Sequence, residues 1–504
     1  MKAVRFRPDF SFSDILLTLA TAPLAQTLPA LSEFTVLHLG LGSFHRAHQA
    51  VYLQRLIDAG DTRWALVSAN IRPDMAEVVA ALQAQGGRYT LETVSPAGEY
   101  HYEQIEAIRE VLPWEDSLAA VISRGAAPST RIVSFTVTEA GYYLDTKGQL
   151  DLSFSDLAAD VERARSGKTG GERGGGMTIY GAVCAILRAR KATQAGPVTL
   201  LNCDNLRHNG DRFRDGLLEF VELAGDTDLL SWISANTRCP NAMVDRITPR
   251  PPPELRARVK AATGRDDAAA ITGESFIQWV IEDNFAAGRP DWGRVGVELV
   301  ESVQPYEEAK IRILNATHSC IAWAGTLLGL DFIHEGMHNM AIRRMAYDYV
   351  TDDVMPCLSS PEAPGPIDLA AYRDVVLDRF GNPAIRDTNQ RVAADGFSKI
   401  PGFIAPTVRE RLAAGQPIDS VAVLPALFLV FLRRWHRRAL PYVYQDQGMD
   451  EAVAHAICDA ADPVYALCSD AGLWGSAAAD TRLVDAVRGA SGRVASFVNS
   501  GVKA

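Results

Sequence analysis

Val36-Leu-His-Leu-Gly40-Leu-Gly42-Ser-Phe-His45-Arg46 joins a short apolar run to a Gly-x-Gly turn and the start of a helical pattern. A strand that ends in Gly-x-Gly and opens a helix lets the backbone approach a pyrophosphate at the helix N-terminus. The stretch therefore predicts a dinucleotide-binding turn that contains Gly40 and Gly42. The third glycine of the usual pattern is absent, because His45 stands at its position.

Short apolar runs alternate with helical patterns on both sides of this turn. Strands are predicted at residues 34–39, 64–69, 131–138 and 198–203. Strands separated by helices indicate βαβ units and a mostly parallel sheet. After about Glu307 the strand signal fades and helical patterns dominate. The sequence therefore predicts an α/β protein with an N-terminal Rossmann-like dinucleotide-binding domain, residues 1–300, and a mainly α-helical C-terminal domain, residues 301–504.

The residues after the second predicted strand bear on the choice of dinucleotide. They read Ile71-Arg72-Pro73-Asp74. Asp74 would bind the ribose hydroxyls of NAD, whereas Arg72 would meet the 2′-phosphate of NADP. The pattern favours NAD and does not exclude NADP.

A second group of polar residues lies at the start of the helical half, in the stretch from Glu307 to His318. On an α-helix that advances 100° per residue, Glu307, Lys310, Asn315 and His318 share one face. A lysine that is partly desolvated can titrate near neutrality and act as a general base. Amide and imidazole groups beside it can stabilise a developing charge on oxygen. A solvated helix face is the alternative, and the spacing alone leaves both interpretations open.

Composition excludes several classes of protein. The chain has 504 residues, and 50 Lys and Arg against 61 Asp and Glu give a net charge of −11, which disfavours a nucleic-acid partner. No apolar run approaches the roughly 18 residues of a membrane span. The seven cysteines are scattered and form no CxxC pair, which favours reduced thiols over disulfides or structural zinc. We expect a cytoplasmic protein without a membrane partner.

The chain resembles the long-chain polyol-specific dehydrogenases, the mannitol dehydrogenase family. Six stretches in a fixed order carry the resemblance, at residues 40–49, 136–142, 203–210, 241–249, 310–318 and 382–399. The resemblance implies a metal-independent enzyme that uses NAD to oxidise a secondary alcohol of a polyol to a ketose. Residues 134–145 and 310–327 most resemble the members that convert D-arabinitol to D-xylulose. Oxidation of mannitol to fructose and reduction of a hexuronate are alternatives within the family, and a catalytically silent sugar- or dinucleotide-binding protein is the alternative outside it.

The resemblance also implies the catalytic roles. Lys310 would be the general base that removes the proton of the polyol hydroxyl. Asn205 and Asn315 would stabilise the oxyanion, and His318 would orient the hydroxyl. Glu307 would relay the proton between Lys310 and solvent.

The same resemblance implies how the ligands are held. Arg391 and Lys399 would bind hydroxyl groups further along the polyol, and Asp245 would support the site. The residues implied for the cofactor are Gly40, Gly42, Phe44 and Asp74. The chain departs from the family at Pro73-Asp74, where an acidic pair is common. The expected partner is a small polyol or ketose, and a monomer is expected.

Overall fold

The computed structural model describes residues 32–145, 148–167, 177–359 and 365–501. Within these ranges the chain forms twelve strands, all of them before residue 301. They are β1 (Phe34–Leu39), β2 (Trp64–Ala69), β3 (Tyr89–Val94), β4 (Tyr100–Ile105), β5 (Ile108–Val111), β6 (Thr130–Phe135), β7 (Val198–Asn202), β8 (Thr237–Arg238), β9 (Ala242–Asp245), β10 (Ile271–Glu274), β11 (Gln278–Glu282) and β12 (Glu298–Val300).

Nine α-helices are described in the same part of the chain. They are α1 (Ser43–Ala47), α2 (Gln49–Asp58), α3 (Ala76–Ala84), α4 (Ala119–Gly125), α5 (Ser155–Arg165), α6 (Ile179–Thr193), α7 (Asn209–Leu223), α8 (Thr227–Asn236) and α9 (Leu255–Thr263). Helices therefore separate the strands of the main sheet, as the alternation of patterns predicts.

Six strands form one parallel sheet in the order β5-β2-β1-β6-β7-β8. Its central strands are buried on both sides, because alternate side chains pack into two separate apolar cores, one on each face. The strand order changes direction between β1 and β6, and open α/β sheets bind ligands at the carboxyl ends of strands beside such a point. Gly40 follows β1 and Thr136 follows β6, so the Gly-x-Gly turn lies there. The predicted Rossmann-like domain is confirmed.

Two small sheets extend this domain toward the helical half of the chain. One has the order β10-β3-β4 and the other the order β12-β11-β9. Strands β9 and β10 end in the acidic residues Asp245 and Glu274, and both side chains are buried.

The part of the chain after residue 301 is mainly helical, and the predicted fold class is confirmed. Its α-helices are α10 (Gln304–Ala309), α11 (Ala316–Leu327), α12 (Ile333–His338), α13 (Met340–Asp348), α14 (Met355–Leu358), α15 (Leu369–Phe380), α16 (Asn389–Ala393), α17 (Gly396–Lys399), α18 (Ala405–Ala413), α19 (Val423–His436), α20 (Glu451–Asp459), α21 (Pro463–Cys468), α22 (Ala471–Trp474) and α23 (Thr481–Gly501). Helix α11 is buried except at His318, and it packs against α12, α16 and α19.

The prediction of one regular α-helix through the polar stretch is wrong at Lys310–Asn315, which forms a π-helix between α10 and α11. In a π-helix each N–H bonds five residues back, so each residue turns less about the axis than in an α-helix. The angles predicted for Asn315 and His318 relative to Lys310 therefore do not apply. Single π-helical turns inside α-helices occur frequently at functional sites.

We propose that the two domains divide between residues 300 and 301, because β12 ends at Val300 and α10 begins at Gln304. In the part of the chain that the structure describes, no helix has the length and apolar character to cross a membrane. All seven cysteines are free thiols, and all but Cys357 are buried.

Candidate active site

A cavity of about 980 Å³ lies where residues of both domains meet. It opens beside the end of β9 and the π-helix. Seven of the residues predicted for the site line it: Phe44, Asn205, Asp245, Lys310, Asn315, His318 and Arg391. Stretches that are far apart in the sequence are thus brought to one wall of one cavity.

Lys310 is a buried lysine that lines this cavity. Its Nζ donates to Asn205 Oδ1 at 2.6 Å and to the carbonyl oxygen of Val244 at 2.5 Å. Burial lowers the pKa of the ammonium group, and Asp245 is the largest of the neighbouring charges that oppose this shift. The geometry gives the Lys310 amine two fixed acceptors and access to the cavity.

Glu307 lies on the other side of Lys310, in a side pocket that Asn205, Lys310 and Asn315 also line. The pocket has room of about 20 Å³, which is enough for one water molecule. The backbone N–H of His208 donates to Glu307 Oε1 at 3.2 Å. Burial nevertheless raises the pKa of Glu307 to about 7. The carboxyl group therefore changes protonation state near neutral pH, next to the amine.

His318 belongs to a group of ionisable residues that line the cavity, with Asp387 and Arg391. Its Nε2 lies 3.3 Å from Asp387 Oδ2, and desolvation of the largely covered ring lowers the pKa of His318. Asp387 also accepts a hydrogen bond from Arg391 Nε at 2.6 Å. Asp387 thus links two predicted substrate-contacting residues. Sequence reasoning missed it, although it stands four residues before Arg391, the spacing of a helical ion pair.

Lys399 is near this group but does not line the cavity. Its Nζ donates to the carbonyl oxygen of Val392 at 2.6 Å, at the end of α16. Burial lowers the pKa of Lys399 to about 8, and the charge of Lys399 in turn lowers the pKa of His318.

Asp245 lies at the end of β9 and forms a buried ion pair that no sequence pattern predicts. Arg379, from α15, donates to both carboxylate oxygens of Asp245 at 2.7 and 2.9 Å. The same guanidinium donates to both oxygens of Glu274 at 2.9 and 2.7 Å. The Arg379 charge helps to hold the pKa of Asp245 below its usual value. A pattern search cannot connect residues 134 positions apart.

The Gly-x-Gly turn is held by backbone and side-chain contacts that suit a dinucleotide. Gly40 has φ +113°, and a Cβ there would lie 2.9 Å from the carbonyl oxygen of Thr136. The backbone N–H of Leu41 donates to Asn70 Oδ1 at 2.7 Å. Gly42 immediately precedes α1, and the first N–H groups of a helix suit a pyrophosphate. The turn, its place at the strand switch and Phe44 in the cavity wall therefore fit a nicotinamide dinucleotide.

Under this turn lies a pair of buried histidine rings. His38 and His45 stack with centroids 3.5 Å apart. His38 Nε2 lies 3.2 Å from the carbonyl oxygen of Gly40, and burial lowers the pKa of His38 to about 3. His45, which stands in place of the third glycine, thus stacks on the ring of His38 that contacts the turn.

The two residues considered for the ribose end differ in what they contact. Asp74 is exposed, and its carbonyl oxygen accepts from Asn70 Nδ2 at 3.3 Å. Arg72 Nη2 donates to Tyr143 OH at 2.5 Å and to Asp156 Oδ2 at 2.9 Å. Tyr143 OH also donates to the same Asp156 oxygen at 2.6 Å. The guanidinium is therefore engaged within the protein.

Comparison with known proteins gives the family. The model of the mannitol dehydrogenase Rossmann domain matches residues 34–294, and that of the mannitol dehydrogenase C-terminal domain matches residues 302–494. D-arabinitol 4-dehydrogenase of Ralstonia nicotianae is 61% identical over 462 residues, which cover 91% of this chain and 96% of the relative. D-arabinitol 4-dehydrogenase of Klebsiella pneumoniae is 54% identical and is matched over 93% of this chain and 100% of its own length.

A solved structure is similar over both domains. The ternary complex of Pseudomonas fluorescens mannitol 2-dehydrogenase with NAD and D-mannitol aligns with a TM-score of 0.78 and 33% identity, over 95% of each chain. The domain models, the relatives and this structure agree over nearly the whole described chain. The chain belongs to the mannitol dehydrogenase family and is an oxidoreductase that acts on a secondary alcohol of a polyol.

Proposed function

We propose that this chain oxidises D-arabinitol to D-xylulose with NAD, and that Lys310 is the general base. The observation that carries the proposal is the bonding of the Lys310 amine. In its neutral form an amine has two N–H groups and one lone pair. Asn205 and the Val244 carbonyl accept from the two N–H groups, so the lone pair is left for a substrate hydroxyl in the cavity that Lys310 lines.

Asn205 has a second role in this arrangement. Its Oδ1 accepts from Lys310, so its Nδ2 group is left to donate. Asn315 lines the same cavity. Two amide donors beside the base would stabilise the negative charge that forms on the substrate oxygen. A bound nicotinamide supplies the acceptor for the hydride of the alcohol carbon.

Glu307 would carry the proton away from Lys310. It shares a pocket with the amine that has room for one water molecule, and its pKa of about 7 lets it both accept and release a proton near neutral pH. Lys310 would thereby return to the neutral form for the next turnover.

The remaining predicted residues would hold the substrate. His318 lines the cavity beside Asp387, which limits the orientations of its ring. Arg391 also lines the cavity and is positioned by the same carboxylate. Lys399, which does not line the cavity, would act on His318 through its charge, and Asp245 would act on Lys310 in the same way. The hydroxyl groups of a polyol would bind among these groups.

Two arguments support the choice of substrate and cofactor. The relatives at 61% and 54% identity are named D-arabinitol 4-dehydrogenase, whereas the mannitol 2-dehydrogenase of Cereibacter sphaeroides is 38% identical. Arg72, which could meet a 2′-phosphate, is already bound to Asp156 and Tyr143. The identities favour D-arabinitol over mannitol, and the contacts of Arg72 favour NAD over NADP. No metal is required, since a base, an oxyanion site and a hydride acceptor suffice for this oxidation.

The proposal is tested by following absorbance at 340 nm with a panel of polyols and both NAD and NADP. We expect the highest kcat/KM with D-arabinitol and NAD, unchanged after dialysis against a chelator. Lys310→Ala should reduce kcat/KM roughly 10²–10⁴-fold because the base is lost. Lys260→Ala, at an exposed lysine of α9, is the matched control and should behave as the unaltered protein.

Three results would contradict the proposal. They are near-normal turnover of Lys310→Ala, a higher kcat/KM with another polyol, and dinucleotide binding without turnover of any polyol.

A further inference from the structure

Arg379 is a buried cation beside the candidate site and forms four hydrogen bonds with carboxylates. It is the penultimate residue of α15, and its side chain is only 3% exposed. Its guanidinium forms paired hydrogen bonds with Asp245 at the end of β9 and with Glu274 at the end of β10. The ring of Phe276 lies over it at 4.0 Å. One side chain of the helical domain therefore fixes two strand ends of the other domain.

The strand end that Arg379 holds is also the one that holds the proposed base. Val244, whose carbonyl oxygen accepts from Lys310 at 2.5 Å, directly precedes Asp245. A shift of Asp245 would move this acceptor, because the two residues share a peptide bond. The position of the Lys310 amine thus depends on the contact between Arg379 and Asp245, neither of which is one of its two acceptors.

The next residue of α15 contacts another residue of the site. Phe380 stacks on the His318 ring with centroids 4.4 Å apart. Two consecutive residues at the end of one helix thus contact Asp245 and His318, which both line the cavity. Neither belongs to a motif that the sequence singled out.

The contact between Arg379 and Asp245 also affects the charge around Lys310. The ionisable groups that act on Lys310 come from five places in the fold: His48, Asp204, Asp245, Glu307 and Arg379. His48 is buried with its pKa lowered to about 3, so it is neutral at working pH. Arg379 is the cation of this set. It opposes the effect of the carboxylates, which favour the charged form of Lys310.

We propose that Arg379 is a positioning residue of the oxidation: it fixes Asp245 and Glu274, and so sets both the place and the charge environment of Lys310. The inference rests on the proposed function, because it assigns Arg379 a part in the action of the base. It differs from a purely structural role in predicting opposite effects for two substitutions in the same ion pair.

The test is the pH at which kcat/KM for D-arabinitol reaches half its maximum. Arg379→Gln removes a cation. Its removal favours protonated Lys310, so the midpoint should move up by about one pH unit. Asp245→Asn removes a carboxylate. Its removal disfavours protonated Lys310, so the midpoint should move down by a similar amount. Asp245→Asn leaves Arg379 paired with Glu274 and tests the charge at the strand end that Arg379 holds. If Arg379→Gln does not fold, Arg379→Lys takes its place. It keeps the cation and loses the paired hydrogen bonds, so kcat/KM should fall at an unmoved midpoint, and an unchanged kcat/KM would overturn the proposal.

Arg373→Gln is the matched control, because it removes another buried guanidinium from α15 that contacts Asp374 and Thr351 and does not line the cavity. Its midpoint should equal that of the unaltered protein. An unmoved midpoint in folded Arg379→Gln or in Asp245→Asn would overturn the proposal, as would an equal shift in Arg373→Gln.

A second readout separates this proposal from the function itself. Trace labelling with acetic anhydride modifies only the neutral amine, so the pH dependence of labelling at Lys310 reports its protonation without turnover. If the unaltered protein oxidises no polyol, the proposed function fails, and the labelling midpoints still test Arg379. If activity is present and the labelling midpoints of the two variants coincide with that of the unaltered protein, the role of Arg379 is wrong.

Discussion

Two lysines, the buried Lys310 and the half-buried Lys399, lie near the cavity, and their bonding distinguishes them better than their titration does. Burial lowers the pKa of both, that of Lys399 to about 8. Lys399 donates to one backbone carbonyl and does not line the cavity, whereas Lys310 lines it and donates to two fixed acceptors. A general base must reach the proton it removes, so geometry takes precedence over pKa in choosing between them. Lys310 satisfies both requirements.

The hydrogen bonds of Arg72 give a prediction about cofactor choice. Asp156→Asn weakens the hold on the guanidinium, which would then be available to a 2′-phosphate. We expect the ratio of kcat/KM for NADP to that for NAD to rise roughly tenfold, which corresponds to about 1.4 kcal/mol. Steady-state kinetics with both cofactors measure this ratio.

Asp228→Asn is the matched control for that prediction. Asp228 is an exposed aspartate of the same domain that is paired with Lys191 at 3.7 Å. Its replacement should leave the ratio unchanged. A ratio that is equally unchanged in Asp156→Asn would show that Arg72 does not meet the 2′-phosphate.

At the scale of elements, the first two strands of the main sheet were predicted correctly from local patterns. β1 and β2 begin and end at the predicted residues 34–39 and 64–69. Both strands are mostly apolar and almost fully buried, so a nearly continuous apolar run marks their length. The predicted third strand, 131–138, is instead β6, Thr130–Phe135. The polar residues that follow Phe135 belong to the loop near the Gly-x-Gly turn.

The π-helix at Lys310–Asn315 could not be predicted from the sequence. A window of apolar and polar residues fits an α-helix, and one π-helical turn leaves no signature in residue type. The site depends on such features, because the π-helix sets the relative directions of Lys310 and Asn315. Arg379 and Asp387 were missed for a related reason. Their roles come from contacts with residues that only the folded chain brings near.

Gly40 provides a prediction for the β1 turn. Gly40→Ala places a Cβ at φ +113° and 2.9 Å from the Thr136 carbonyl oxygen, so the turn must move away from β6. We expect the Kd for NADH to rise at least about tenfold, which is 1.4 kcal/mol, with retained secondary structure. Fluorescence titration of NADH and far-ultraviolet circular dichroism measure the two quantities.

Gly60→Ala separates strain from position in this experiment. Gly60 has φ +92° but no atom within 4 Å of the added Cβ. Its substitution should lower stability by about 1 kcal/mol without changing the Kd for NADH. Equal Kd values for both variants would mean that the Gly40 turn does not hold the dinucleotide.

At the scale of the whole molecule, the net charge of −11 is a poor guide to the site. The site lies where the two domains meet, and oppositely charged groups pair there in small clusters. Arg379 pairs with Asp245 and Glu274, and Glu308 pairs with Arg207 of one domain at 2.8 Å and Arg312 of the other at 2.7 Å. Removal of one partner of a buried pair leaves an uncompensated charge. Domain association and the chemistry of the site therefore depend on the same residues.

Glu307 gives the prediction that tests this dependence through the stability of the whole chain. Burial raises its pKa from 4.5 to about 7, so the folded state binds a proton that the unfolded state has released between these pH values. Below about pH 4.5 both states are protonated, so Glu307 does not reduce the free energy of unfolding. As pH rises toward 7 the unfolded state is favoured increasingly. Above pH 7 the reduction in the free energy of unfolding is complete, on the order of 2–3 kcal/mol.

Glu307→Gln carries no charge at any pH, so its free energy of unfolding should match that of the unaltered protein at pH 4.5 and exceed it by about 2–3 kcal/mol at pH 8. Urea denaturation at both pH values measures the difference. Glu308→Gln is the neighbouring control and should lower stability at pH 8, because Arg207 loses its carboxylate partner and Arg312 keeps only Glu410. A Glu307→Gln protein that is no more stable at pH 8 would show that the carboxyl group is not desolvated. If it is more stable but turns over more slowly, a carboxyl group that destabilises the fold serves the chemistry of Lys310.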